Sequence, residues 1–127
     1  MEHEKTQRRA VRVSIDAQPW EVVNSTFERR FVAGEKVMLA FLHLHQGSRV
    51  PRHSHHNEQL SYVQSGRLRF LMGDAEEEEV VVTSGEVLVI PGDLPHSVEA
   101  LEDTRGFDIF SPPRQDWLDG TDDYLRR

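Results

Sequence analysis

The sequence predicts an all-β domain closed into a single barrel. Three features carry that prediction: short β-rich runs broken by turn residues, the lack of any long segment with helical periodicity, and a length of 127 residues, enough for one core. The runs are 21–24, 27–33, 36–45, 60–64, 67–72, 79–83, 86–90, 96–100 and 105–110, the even spacing of an all-β sandwich or barrel. Ala33-Gly34 ends the second run and Gly47-Ser48 follows the third. Ser65-Gly66 parts the fourth from the fifth, Gly73-Asp74 follows the fifth, Ser84-Gly85 parts the sixth from the seventh, and Pro91-Gly92-Asp93 closes the seventh. Helix is expected only as a short turn near 116–125. The acidic run 76–79 reads as a solvated hairpin tip and carries no chemistry.

In the run 36–45, Val37, Leu39, Phe41, His43 and His45 share one face, and Met38, Ala40, Leu42 and Leu44 share the other. Both faces are largely apolar, which implies cover on both sides, by the barrel core and by a second sheet or a partner subunit. A homodimer is the expectation. In the run 67–72, Leu68, Phe70 and Met72 alternate with Arg67 and Arg69, so the apolar trio fills the core and the arginines face outward.

Residues 1–10 form a polar tail and 11–127 the single domain. Neither a secretory leader nor a bilayer-spanning stretch can be read from the sequence, and a cytoplasmic location is expected. With no cysteine there is no disulfide, thiolate zinc site or cysteine nucleophile, so redox chemistry would require a metal. A net charge of −7, from 22 acidic and 15 basic residues, disfavours nucleic acid and anionic membranes, which reward clustered Lys and Arg.

The most informative stretch runs from Gly47 to Gln59. His53 and His55 stand two apart, and on a strand rising roughly 3.3 Å per residue their Cα atoms would lie about 6 to 7 Å apart, a span two imidazoles can bridge around one ion. The pattern Gly47-x5-His53-x-His55-x3-Gln59-x6-Gly66 resembles the first cupin motif, and Gly85-x5-Pro91-x4-His96 resembles the second. The two lie in the right order within 47–96. The resemblance implies a single cupin jelly-roll barrel holding one divalent transition metal on His53, His55 and His96, with nickel, iron, zinc, manganese, cobalt and copper all compatible with such donors. Two positions depart from the common pattern: Gln59 stands where the family usually has a glutamate, and Ala100 where it often has an asparagine. If 53 to 59 continues as one strand, residues 53, 55 and 59 share a face, which favours Gln59 as fourth ligand; Glu58 is the alternative if a bulge intervenes. A neutral amide leaves the ion's charge uncompensated, weakening its retention but favouring an anionic substrate. His43 and His45 form a second same-face pair, read as barrel lining or subunit contact, and His3 as tail.

Asp108 and Phe110 share a face of the last run, and Arg114 follows two prolines. Asp108 is either an outward surface residue or an inward one with a raised pKa, poised for proton transfer. Arg114 either closes over the barrel mouth as a carboxylate clamp or forms a surface ion pair. The Asp108-x-Phe110-x3-Arg114 tail and the glutamine ligand make the chain most similar to the pectin-degradation, uronate-linearising cupins. That resemblance implies an enzyme acting on a small anionic sugar, opening 4,5-unsaturated uronates from pectin or alginate to linear ketonised form. It assigns the carboxylate and ring oxygens to the metal and Arg114, proton movement to Asp108, and sugar packing to Phe110. A metal-dependent dioxygenase and a non-catalytic sugar- or ligand-binding cupin are the competing readings.

Overall fold

The computed structural model describes residues 8–126. His3 and most of the expected 1–10 tail lie outside them. Ten strands follow one another: β1 (Glu21–Asn24), β2 (Phe27–Ala33), β3 (Met38–Leu44), β4 (Arg49–His53), β5 (Glu58–Ser65), β6 (Arg67–Met72), β7 (Glu78–Thr83), β8 (Val87–Ile90), β9 (His96–Ala100) and β10 (Thr104–Ser111). They form two antiparallel sheets, one ordered β1-β2-β3-β10-β5-β8 and the other β4-β9-β6-β7, the cupin jelly roll. No helix among the described residues is long and apolar enough to cross a membrane.

Nine of the ten strands are those expected from the sequence. The tenth, β4, reads Arg-Val-Pro-Arg-His, with a proline and two charges that argue against a strand. It survives because it is an edge strand, paired among the described residues with β9 alone, where the missing N–H of Pro51 can face away from the ladder.

The core lies between the sheets. On β3, Met38, Ala40, Leu42 and Leu44 are buried, while Leu39, Phe41 and His43 sit half-buried on the opposite face. On β6, Leu68, Phe70 and Met72 point inward, and Arg67 and Arg69 face outward to Glu102, Glu79 and Glu99. One end of the barrel is closed by the C-terminal segment: the single helical turn α1 (Gln115–Asp119), ended by Gly120 in the left-handed region, and a 3₁₀ turn, Asp123–Arg126. Trp117 and Leu125 are buried there. Arg29 reaches this plug from β2. It is fully buried, its Nη1 lies 2.6 Å from the equally buried Asp122, and its guanidinium stacks 4.1 Å from the Trp117 ring. The paired charge makes burial of an arginine inside the barrel tolerable.

Candidate metal centre

His53 ends β4 and His96 begins β9, and the two are directly opposite in the ladder, with ring centroids 4.4 Å apart. His55 is not on a strand, which corrects the expectation of a continuous strand through 53 to 59. β4 stops at His53, and the chain turns before β5, so the parity argument for Gln59 does not apply. The turn itself brings His55 to the cluster, at 5.6 Å from His53 and 5.2 Å from His96 between ring centroids. Gln59 arrives from β5, buried, while Glu58, the alternative ligand, is exposed.

The His55 loop is held from below. The Asp93 amide donates to the His55 carbonyl at 2.7 Å, and the Gly92 backbone passes so close that a Cβ there would collide with the His56 carbonyl oxygen. Asn57, also buried, donates through Nδ2 to the carbonyls of Pro112 and Pro113, fastening the loop to the end of β10.

Backbone carbonyls orient all three imidazoles in the same way. Nδ1 of His53 donates to Pro51 at 2.8 Å, that of His55 to Asn57 at 3.1 Å, and that of His96 to Leu94 at 2.9 Å. A carbonyl can only accept, so each Nδ1 carries the proton. Burial holds His53 down to about 3 and His55 down to about 4, and lowers His96 as well, so the rings are neutral near pH 7 and each Nε2 presents a lone pair. Carbonyl-bound imidazoles of this kind are the usual arrangement of metal-ligating histidines.

The donor set fits a divalent transition ion. One ring nitrogen from each of His53, His55 and His96 lies within 4.8 Å of the others. His96 Nε2 is buried without a hydrogen-bond partner among the described residues. His55 Nε2 lies 3.1 Å from Gln59 Oε1, two acceptors facing each other, as donors to one cation do. The amide is locked in that orientation because its Nε2 donates to Ser61 Oγ at 3.0 Å and to Asp108 Oδ2 at 3.2 Å. Three imidazoles and an amide oxygen could therefore hold the ion, and the set suits late first-row metals better than magnesium or calcium.

Asp108 points inward, next to Ser61 in the β5–β10 ladder. Its burial pushes the carboxyl up to about 7, against the weaker opposing pull of the Ser61 hydroxyl and the Arg114 charge. Phe110, opposite Gln59 in the same ladder, sets its ring 5.8 Å from that of His55. Arg114 forms an ion pair, as one of its two expectations had it, but a buried one in the cavity wall. It precedes α1, only 2 % exposed, and donates through Nε and Nη2 to the two oxygens of Asp116 at 3.0 and 2.9 Å. Nη2 also meets Tyr124 Oη, and the guanidinium stacks on Phe110 and Trp117. The prolines and α1 fold the arginine into the barrel wall because two rings and a carboxylate offer more than the open mouth does. His53, Gln59, His96, Asp108, Phe110 and Arg114 all line one cavity of about 60 Å³.

Asn57, Ser61, Asp116 and Tyr124 escaped the sequence reading. Ser61 was within reach, two residues from Gln59 on one strand face; the others act across turns that no periodicity marks. Tyr124 packs its ring 5.0 Å from His53.

A search of curated protein sequences finds no match. Among solved structures, the chain is similar to KdgF from Halomonas sp., at 27% identity and a TM-score of 0.74, over 81% of this chain and 95% of that one. An RmlC-like cupin from Shewanella frigidimarina superposes with a TM-score of 0.77 at 20% identity, over 87% and 98% of the two chains. A Bacillus subtilis oxalate decarboxylase shares the fold at 20% identity and a TM-score of 0.69, matching 79% of this chain but only 29% of its own. The family model described as "Cupin domain" matches residues 40–110, more than half of the sequence. That span runs from within β3 to the last residue but one of β10 and includes all four converging side chains, and the chain belongs to the cupin family.

Proposed function

We propose that this cupin is a metal-dependent enzyme that linearises 4,5-unsaturated uronates, with His53, His55, His96 and Gln59 as metal ligands and Asp108, Phe110 and Arg114 acting on the sugar. The observation that carries the reading is the contact between Gln59 and Asp108, which sets a carboxyl titrating near 7 beside the metal-binding cluster in a shared cavity. The similarity to KdgF from Halomonas sp., beside the resemblance of Gln59 and the Asp108-x-Phe110-x3-Arg114 tail to the uronate-linearising cupins, supports the substrate class. A divalent ion on these ligands supplies positive charge that binds and polarises the sugar's oxygens.

The reaction is a net isomerisation. The anomeric hydroxyl loses its proton, the ring C1–O bond breaks, and the enol left at C5 takes a proton at C4 to become a ketone. Asp108, buried beside Gln59, is the group placed to deliver the proton to C4. Arg114, fixed by Asp116 and stacked on Phe110, contributes positive charge at the wall to which the uronate carboxylate is drawn. Phe110 offers its ring to the sugar's apolar face.

The outer face of the larger sheet supports a homodimer. Phe41, Phe107 and Tyr62 stack there in series, with centroids 6.1 and 4.8 Å apart, next to the exposed Val87 and Val89. A contiguous apolar face of this kind is covered by a second copy in our reading.

The activity is tested by following the conjugated absorbance of 4,5-unsaturated galacturonate and of its alginate-derived counterpart, with metal-loaded wild type beside His53→Ala. Acceleration by the wild type alone is expected. No acceleration over the spontaneous rate by protein confirmed to hold metal overturns the assignment in favour of an oxygenase or a binding module.

A further inference from the structure

A second cluster of metal donors lies outside the barrel. Glu28 on β2 is the direct cross-strand partner of His43 on β3, and His45 follows immediately past the end of that strand. All three side chains are partly exposed. Glu28 Oε1 lies 3.4 Å from His43 Nδ1 and 3.2 Å from His45 Nε2, and the two imidazoles stack with centroids 4.2 Å apart. One donor atom from each residue falls within 4.8 Å of the others, the same closeness that the barrel cluster shows. The sequence displays the histidine pair but not its third member, because Glu28 arrives through the β2–β3 register.

We propose that Glu28, His43 and His45 form a second metal site, on the outer face of the larger sheet, for a divalent transition ion such as zinc or copper(II). Two imidazoles and one carboxylate are a donor set such ions favour, and the carboxylate supplies the negative charge that the barrel cluster lacks. Three protein donors leave the remaining coordination positions to solvent, or to the second copy that covers this face in the reading above. The surrounding charges are mixed. Arg105 stands opposite His43 in the β3–β10 ladder and opposes a cation, while Asp103 nearby favours one. The net local charge with Glu28 is negative, so the site tolerates the arginine.

The test is a count of zinc bound per chain, by equilibrium dialysis and elemental analysis at micromolar free zinc. The His53→Ala/His96→Ala variant, whose barrel cluster is dismantled, is expected to retain one ion. Adding His43→Ala and His45→Ala to it removes that ion, and adding Glu28→Gln alone weakens binding by at least about tenfold, since even outer-shell losses weaken metal sites that much. The Glu28→Gln variant guards against misfolding of the multiple variant, because its side chain keeps the same shape on a partly exposed strand. The site does not exist if the His53→Ala/His96→Ala protein binds no zinc, or if the retained ion persists unweakened after Glu28→Gln or after loss of both His43 and His45.

Discussion

Replacing Asp108 with asparagine separates the cost of its burial from any part it plays in chemistry. In the folded, metal-free protein the carboxyl is pushed from its ordinary 3.8 up to about 7 by burial. Below about pH 4 it is protonated in folded and unfolded chains alike and makes no difference between them. As the pH rises from about 4 to about 7 the unfolded chain releases the proton and the folded chain keeps it, so Asp108 subtracts stability progressively, and above about 7 the loss is complete. At about 1.4 kcal/mol per pH unit, the full loss is roughly 4 kcal/mol. Asparagine cannot ionise, yet its Oδ1 can still accept from Gln59 Nε2, so the variant escapes the loss while keeping the hydrogen bond. Urea denaturation of both metal-free proteins across this range is the assay. Asp108→Asn minus wild type is expected to be near zero at about pH 4 and to climb to a few kcal/mol by about pH 8. The buried histidines also titrate in this range, but their contribution is common to both proteins and drops out of the difference. A difference that stays flat with pH refutes the raised carboxyl and, with it, the basis for Asp108 as proton donor. Turnover of the variant is expected to fall with metal content unchanged.

Two further changes probe the remaining structure. Gln59→Glu restores a charged fourth ligand and is expected to tighten metal retention roughly tenfold, about 1.4 kcal/mol, in competition with a chelator. The same change destabilises the metal-free protein, because a second carboxylate then faces Asp108 across the present 3.2 Å contact; unchanged retention contradicts Gln59 as a ligand. Phe41→Glu places a charge in the middle of the aromatic row on the larger sheet's outer face and is expected to turn a dimer into a monomer by sedimentation equilibrium, with the circular dichroism of the wild type; a wild type that sediments as a monomer refutes the dimer.

The sequence made the strands legible wherever a side chain's direction followed a period of two. Met38, Ala40, Leu42 and Leu44 alternate with their neighbours, and so do Leu68, Phe70 and Met72, because each strand has one face in the core. β4 was illegible for the converse reason: an edge strand half exposed to water needs neither apolar alternation nor a donor at every residue, so Pro51 and Arg52 conceal it. The spaced histidines pointed to the barrel cluster, but the geometry behind His55 did not come from strand parity. It comes from a turn seated on Gly92 and Asp93, tertiary packing that no local pattern encodes. Arg114 shows the same limit. The prolines before it signalled a stiff approach, and the direction of that approach depends on Asp116, Trp117 and Tyr124, which meet only after α1 has folded back over the barrel end.

The centre of the account is that one divalent ion sits between His53, His55, His96 and Gln59, and an anomalous difference map from zinc- or nickel-soaked crystals tests it most directly. The expected result is a strong peak at about 2.1 Å from the three Nε2 atoms and bonded to Gln59 Oε1. A barrel centre without such a peak in crystals that hold the metal elsewhere, or a peak from which the Gln59 oxygen is turned away, contradicts the account.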